Sequence, residues 1–282
     1  MSIASNLKVL TAFEVHRTPA RVIRALLETD HGALRAAWKG LSSTTRSALQ
    51  ADAENLGTRG IRAIDPTDAL FPESLVIKGR PIVPALFCKG NLELLKAPGI
   101  GVCGSRDASI RGVETAQACA TEAVRSRLSV ISGYARGVDT ESSVAALRNG
   151  GRTLQVLPEG VNHFRPKEEF SGHLDEDSVL IVSQFHPQQP WEPYTAMARN
   201  RVVVGLGRAL VVVEAGDKGG SLAAGREALR RGRSVLVPTH GSDTPRGNLT
   251  LIDEGARAVR SRDEFHEILE TLQDPPPQVT LL

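Results

Sequence analysis

Short apolar runs recur along the second and third thirds of the chain, and most are separated by stretches with helical spacing. The runs lie at residues 100–103, 128–131, 153–157, 179–182, 210–213 and 234–237. Strands that are apolar on both faces are typical of parallel sheets covered by helices on both sides. Helices are predicted at residues 110–127, 139–148, 200–206, 221–231, 248–255 and 262–272. This alternation predicts an α/β fold with a doubly wound, mostly parallel sheet.

Residues 1–60 have the spacing of helices and precede the predicted sheet. Thr18 followed by Pro19 predicts a helix start, because proline is favoured in the first turn. Further helices are predicted around residues 34–41 and over 43–56. Residues 61–98 instead combine prolines with short apolar runs, which predicts one or two strands that extend the sheet at an edge. We therefore expect a helical module over 1–60, a sheet domain over 61–272 and a proline-rich tail over 273–282.

The distribution of charge is more informative than its total. Hydrophobic residues make up 41% of the chain and charged residues 23%, close to the average of globular proteins. The formal net charge is only +2, so the total does not indicate a nucleic-acid partner. Residues 199–233, however, contain eight basic and three acidic residues. A local basic surface is therefore expected in the second half of the sheet domain.

The cysteines and the apolar content argue against several classes of protein. Cys88, Cys103 and Cys119 have neither CxxC nor Cys/His ligand spacing, so we expect reduced, mostly buried thiols, no metal site and no other cofactor. The first residues lack a signal peptide, and no stretch approaches the ~18 apolar residues of a membrane span. We expect a cytoplasmic protein without a membrane partner.

Two turns at predicted strand ends carry the residue types that bind phosphate. The first contains Gly104, Ser105 and Arg106, and the second contains Ser132, Gly133, Arg136, Gly137 and Asp139. In such turns, backbone N–H groups and a guanidinium can approach a phosphate. Open α/β sheets also bind ligands at the carboxyl ends of their strands. We predict a phosphate site there, with Asp139 as the cap of the next helix and not as a ligand contact.

Two later segments extend this candidate site. They contribute Arg199, Asn200 and Arg201 at the start of a predicted helix, and Lys218, Gly220 and Ser221 in a strand-to-helix turn. The alternative for Arg106 is an ion pair with Asp107 or a neighbouring helix, and the alternative for residues 214–221 is a tight loop without a ligand. No Ser/His/Asp or Cys/His order indicates a catalytic nucleophile. Residues 99–104 match GxGxxG inside a strand instead of after one, which argues against a dinucleotide site.

Taken in order, these motifs resemble the DNA-processing protein A (Smf) family. The resemblance rests on Gly104-Ser105-Arg106, the turn from Ser132 to Asp139, Arg199-Asn200-Arg201, Val213-Glu214-Ala215 and Gly220-Ser221-Leu222. It implies an extended Rossmann-like fold and a homodimer that binds and protects single-stranded DNA, helps to load the RecA recombinase and has no enzymatic turnover. It also implies that Arg106, Arg136, Arg199 and Arg201 line the DNA groove, with Gly104, Ser105 and Gly133 letting the DNA backbone approach.

A nucleotide-binding sensor or a nucleoside-monophosphate phosphoribohydrolase, similar to the Lonely-guy family, is the alternative. The same strand ends would then hold one 5′-phosphate. The Pro-Gly-Gly-x-Gly-Thr-x-x-Glu motif of that family is absent, and Glu227 follows Gly219 and Gly220 at a different spacing. Release of adenine from AMP would separate the two hypotheses.

The last residues suggest a further partner. They are Gln278, Val279, Thr280, Leu281 and Leu282, which resemble the short peptides that dock on the bacterial replication sliding clamp. Pro275, Pro276 and Pro277 would act as a stiff spacer. The alternatives are an end without a partner and a last segment that packs on the sheet.

Overall fold

The structure is a computed structural model that describes residues 2–28 and 30–272. Four helices come first, and then strands and helices alternate. The helices are α1 (Ser2–Val15), α2 (Pro19–Leu27), α3 (Gly32–Gly40), α4 (Ser43–Thr58), α5 (Ile110–Arg125), α6 (Val138–Arg148), α7 (Pro193–Leu206), α8 (Gly220–Arg230), α9 (Arg246–Asp253) and α10 (Arg262–Glu270). The strands are β1 (Ile61–Ile64), β2 (Val76–Ile77), β3 (Arg80–Pro81), β4 (Leu86–Gly90), β5 (Gly99–Cys103), β6 (Ser129–Ser132), β7 (Thr153–Val156), β8 (Val179–Ser183), β9 (Ala209–Val212), β10 (Ser234–Pro238) and β11 (Arg257–Val259).

Nine of these strands form one sheet in the order β1-β4-β8-β7-β6-β5-β9-β10-β11. At one edge of the sheet, β4 is antiparallel to both of its neighbours, β1 and β8. Phe87 of β4 lies opposite Ser183 of β8. All other pairs of this nine-stranded sheet are parallel. The predicted doubly wound, mostly parallel sheet is confirmed, and residues 61–98 do supply strands at its edge. Each of the six predicted apolar runs forms a strand to within one residue at either end.

Side chains alternate along the strands and fill a core on each face of the sheet. In β9, Leu210 and Val212 pack on the side of α7, α8 and α9, whereas Ala209 and Val211 pack on the side of α5, α6 and α10. Both faces are therefore covered, which is why these strands are apolar throughout.

The N-terminal helices pack on one face of the antiparallel edge. Val9, Leu10 and Leu26 share a buried cluster with Phe87 of β4. Asn6 of α1 is fully buried, and its side chain donates to Ile61 O at 2.9 Å and accepts from Ala63 N at 2.7 Å. These hydrogen bonds fix α1 to β1 without leaving a polar group unsatisfied. The helical character of this region is as predicted. The bounds of α1 were not predicted, because its sequence is only weakly amphipathic. The domain boundary at residue 60 stays a prediction.

The strand order reverses between β5 and β9. From β5 the chain proceeds outward through β6, β7 and β8, and it then crosses back to place β9 beside β5. Such a reversal leaves a crevice at the carboxyl ends of the strands, where ligands of open α/β sheets bind.

One helix begins earlier than predicted. α7 starts at Pro193 and not at residue 200, because Pro193 occupies its first turn and Glu192 forms a capping box with Thr195. Arg199, Asn200 and Arg201 therefore lie in the middle of a helix. Successive helical residues point about 100° apart, so the two arginines, two positions apart, face nearly opposite sides.

No helix in the described part of the chain is both long enough and apolar enough to cross a lipid bilayer. The predicted clamp-binding residues 278–282 and the proline spacer lie outside the described residues.

Candidate nucleic-acid interface

Two adjoining cavities form a groove over the carboxyl ends of β5, β6 and β9. Their volumes are about 560 and 440 Å³. The residues that line both cavities are Arg106, Ala135, Trp191 and Arg199. We call the larger one the first cavity and the smaller one the second cavity. Together they are large enough for more than one nucleotide unit.

Most of the predicted site residues line this groove. The first cavity contains Gly104, Ser105, Arg106, Arg199, Asn200, Lys218, Gly220 and Ser221. The second cavity contains Arg106, Gly133, Arg136 and Arg199. Four segments far apart in the sequence thus meet at the strand-order reversal. The Ser221 hydroxyl donates to Gly104 O at 2.7 Å, which ties the start of α8 to the turn after β5.

Arg199 lies at the floor of the groove and pairs with Asp139. Arg199 Nη1 is 3.5 Å from Asp139 Oδ2, and both residues are buried. Burial lowers the pKa of the Arg199 guanidinium, and the Asp139 carboxylate opposes this effect. The phosphate contact predicted for Arg199 would therefore come from a side chain that is only 6% exposed, and Arg199 contributes positive charge from the floor of the groove.

Asp139 has a different role from the predicted helix cap. The N-cap of α6 is Gly137, and Asp139 lies in the first helical turn. Its carboxylate accepts hydrogen bonds from Gly133 N at 3.0 Å and Ala135 N at 3.3 Å. The backbone N–H groups that the sequence suggested for a phosphate are therefore occupied by a carboxylate of the same chain. A phosphate in this groove depends on side-chain cations instead.

The glycines of the second turn are required by packing. A Cβ atom on Gly133 would lie 0.9 Å from Arg199 Nη1. Gly137 has a φ of 73°, and a Cβ atom there would lie 2.4 Å from Ser105 O. Gly133 thus makes room for the Arg199 guanidinium, and Gly137 lets the two turns touch, which brings Arg106 and Arg136 to neighbouring positions.

Three predicted residues line neither cavity: Gly137, which packs against the turn after β5, and Ser132 and Arg201. Ser132 is fully buried, and its hydroxyl contacts Ser143 Oγ at 2.8 Å and Gln155 Oε1 at 3.0 Å. Arg201 is exposed on the opposite side of α7 from Arg199 and lines neither cavity. The positions of Ser132 and Arg201 follow from geometry: Ser132 still belongs to β6, and Arg201 lies about 200° around α7 from Arg199.

The exposed lysine and arginine side chains of the groove are Arg106, Arg136, Arg165 and Lys218. Arg136 Nη2 contacts Asp107 Oδ1 at 2.6 Å, and both side chains are mostly exposed. Among residues 2–28 and 30–272, Arg106 has no carboxylate partner, so the ion pair with Asp107 is made by Arg136 and not by Arg106. An exposed guanidinium group with at most one exposed carboxylate partner remains available to a phosphate.

Comparison with known proteins identifies the family. The family model described as DNA recombination-mediator protein A matches residues 62–272. The chain belongs to this family.

Named relatives agree with this assignment. The chain is 37% identical over 180 residues to DNA processing protein DprA of Streptococcus pneumoniae, covering 62% of this chain and 63% of that protein. It is 35% identical over 213 residues to protein Smf of Escherichia coli, covering 74% of this chain and 56% of that protein. The matched region thus spans less than two thirds of the length of either relative.

Solved structures of the recombination-mediator family share the fold. The X-ray structure of DNA processing protein A from Streptococcus pneumoniae superposes with a TM-score of 0.66 at 28% identity, covering 93% of this chain and 94% of that one. A structure that describes the single-stranded DNA binding mode of DNA processing protein A from Helicobacter pylori has a TM-score of 0.63 at 22% identity, covering 71% of this chain and 93% of that one.

The loop after β7 adds groove residues that the sequence did not indicate. Glu159, His163, Arg165 and Lys167 line the second cavity. Lys167 Nζ lies 4.4 Å from the centre of the Tyr134 ring and donates to Tyr134 O at 2.8 Å. Burial lowers the pKa of Lys167. This loop has no periodicity or motif, so no signal in the sequence connects it to the strand ends.

The three thiols of this chain are buried or half-buried, as predicted. Burial raises the pKa of Cys119 to about 12 and raises that of Cys88 and Cys103 further. Cys103 lies at the edge of the first cavity. Across the described residues, no three His, Cys, Asp or Glu side chains gather as metal ligands would.

Proposed function

We propose that this chain binds single-stranded DNA in the groove above β5, β6 and β9. The observation that carries the proposal is the row of exposed cations, Arg106, Arg136, Arg165 and Lys218, with Trp191 between the two cavities and 47% exposed. Cations along a groove neutralise successive phosphates, and an exposed aromatic ring stacks on an unpaired base. Membership of the recombination-mediator family and the DNA binding of the Helicobacter pylori protein support this function.

Single strands suit the groove better than duplex DNA does. Tyr194 and Met197 are 64% and 47% exposed and follow Trp191 along the start of α7. Bases of a duplex are stacked on each other and cannot contact these side chains, whereas the bases of a single strand can.

The groove acts in binding and not in turnover. A phosphoribohydrolase of the alternative type would hold one 5′-phosphate, and backbone N–H groups are the usual cradle for it. Asp139 occupies the N–H groups of Gly133 and Ala135, and its charge disfavours a second anion at that turn. This contact favours the DNA-binding function over the nucleotide-processing one.

A titration with three ligands tests the proposal. Fluorescently labelled single-stranded DNA, the same sequence as a duplex, and AMP are each added to the protein. We expect tight binding of the single strand, weaker binding of the duplex and no adenine released from AMP. Release of adenine, or stronger binding of AMP than of the single strand, would overturn the proposal.

The protein partners follow from the family resemblance. We propose that the chain forms a homodimer in the cytoplasm and helps to load RecA on the bound strand. Light scattering should then give twice the chain mass of 30.2 kDa, and the protein should accelerate RecA filament formation on single-stranded DNA. A mass of one chain would rule out the homodimer, and no acceleration would rule out the role in RecA loading.

Binding of residues 278–282 to the sliding clamp is a further proposal. The double substitution Leu281→Ala, Leu282→Ala should abolish clamp binding without a change in DNA affinity.

A further inference from the structure

A carboxyl group lies in the most cationic part of the groove. Glu159 lines the second cavity together with five basic side chains, which are Arg106, Arg136, Arg165, Lys167 and Arg199. The Glu159 carboxylate makes no hydrogen bond or ion pair with the rest of the described chain. Burial raises its pKa, and His163, Arg199 and Lys167 oppose that rise only in part. A half-buried carboxylate without a partner is costly, so its presence needs a reason.

The backbone holds Glu159 at this position. The Ser183 hydroxyl donates to Glu159 O at 2.6 Å, and Gly160 N donates to Gln189 O at 2.8 Å. A Cβ atom on Gly160 would lie 2.2 Å from His186 O, so the chain passes close against its neighbour there. The loop is thus anchored on both sides of Glu159, and its carboxylate faces the cavity from a fixed base.

A phosphate is a poor ligand for this carboxylate, but a nucleobase edge is a good one. Trp191 lines the same cavity and offers a surface on which a base can stack. The edge of a stacked, unpaired base presents N–H donors, which a carboxylate accepts. The surrounding arginines and Lys167 then hold the phosphates on either side.

We propose that the second cavity is a base-reading subsite that prefers guanine, with Glu159 as the residue that determines the preference. Guanine presents two neighbouring donors on one edge, N1–H and the N2 amino group, which a carboxylate can accept together. Adenine and cytosine present one amino group, and thymine presents one N–H between two carbonyl oxygens. The inference rests on the proposed binding of single-stranded DNA and specifies which strands the groove prefers.

Oligonucleotides with one changed base test the subsite. A labelled oligothymidine that carries one central guanine is compared with the same strand carrying adenine, cytosine or hypoxanthine, which lacks the N2 amino group. We expect the guanine strand to bind about ten-fold more tightly than the others, the usual discrimination of a two-point base contact. The Glu159→Gln variant should reduce this preference to within about two-fold and should bind plain oligothymidine at least as tightly as the wild type, because a negative charge is removed.

The control is Glu168→Gln, an exposed acid on the same loop that lines neither cavity. It removes the same charge and should keep the full preference for guanine. Equal binding of all four strands by the wild type would overturn base reading while leaving DNA binding intact. An undiminished preference in folded Glu159→Gln would overturn the role of Glu159. Failure of the wild type to bind any of the strands would overturn the proposed function itself.

Discussion

Arg199 and Asp139 form a buried ion pair beneath the groove, with Nη1 of the arginine 3.5 Å from Oδ2 of the aspartate. Only 6% of the Arg199 side chain and 5% of the Asp139 side chain are exposed. Asp139 also accepts the N–H groups of Gly133 and Ala135, so one carboxylate shapes the turn after β6 and holds the arginine under it. The pair links α6 and α7 and thereby sets the positions of the exposed cations above.

Removing one partner of this pair should destabilise the fold. Asp139→Asn leaves the Arg199 guanidinium buried without a counter-charge, for which we expect a loss of ~3–5 kcal/mol in the free energy of unfolding. Urea denaturation followed by circular dichroism measures it. The matched control is Asp107→Asn, which breaks an exposed ion pair and should change stability by less than ~1 kcal/mol. Similar, small effects of both substitutions would show that the buried pair is not structural.

The exposed pair of Arg136 and Asp107 should instead affect DNA affinity. Asp107 competes with a phosphate for the Arg136 guanidinium and adds a negative charge at the groove. Asp107→Asn should therefore tighten binding of single-stranded DNA by up to about five-fold, the equivalent of ~1 kcal/mol for an exposed pair. Asp263→Asn, which removes an exposed charge from α10, is the control for net charge. Equal affinities of the two variants would indicate that Asp107 does not restrain Arg136.

Trp191 should report on DNA directly. The chain has two tryptophans, so Trp38→Phe leaves Trp191 as the single one. Stacking of a base on its ring should quench the tryptophan fluorescence of this variant as single-stranded DNA is added. Trp191→Ala should weaken binding by ~1–3 kcal/mol, the usual effect of one stacked base. An unchanged emission at saturating DNA would place the strand away from Trp191.

The sequence predicted the sheet well because its signals are local. Strands such as β8 and β9 are apolar throughout and end in glycine or polar turns, so both their existence and their limits were visible. The turns after β5 and β6 were also placed correctly, since strand ends and glycines mark them. The turns after parallel strands meet at the carboxyl edge of the sheet, so the order of strands along the sequence is enough to predict that these turns form one site.

The roles of individual residues at the site depend on contacts that no local pattern shows. Arg199 was expected as a phosphate ligand, but the earlier start of α7 turns it inward and turns Arg201 outward. Asp139 was expected as a cap, but Gly137 occupies that position and frees the carboxylate for the turn. Glu159 entered the groove only through the packing of a long loop without periodicity.

The salt dependence of DNA binding tests the central claim most directly. Affinity for labelled single-stranded DNA is measured over a series of salt concentrations for the wild type, for Arg106→Ala with Arg136→Ala, and for Arg148→Ala, an exposed arginine at the far end of α6. Four exposed cations at about 0.7 each predict a slope of log K against log salt of about −2.8 for the wild type. The double variant should have a slope of about −1.4, and Arg148→Ala should match the wild type. A wild-type slope near zero, or an unchanged slope in the folded double variant, would contradict the phosphate groove.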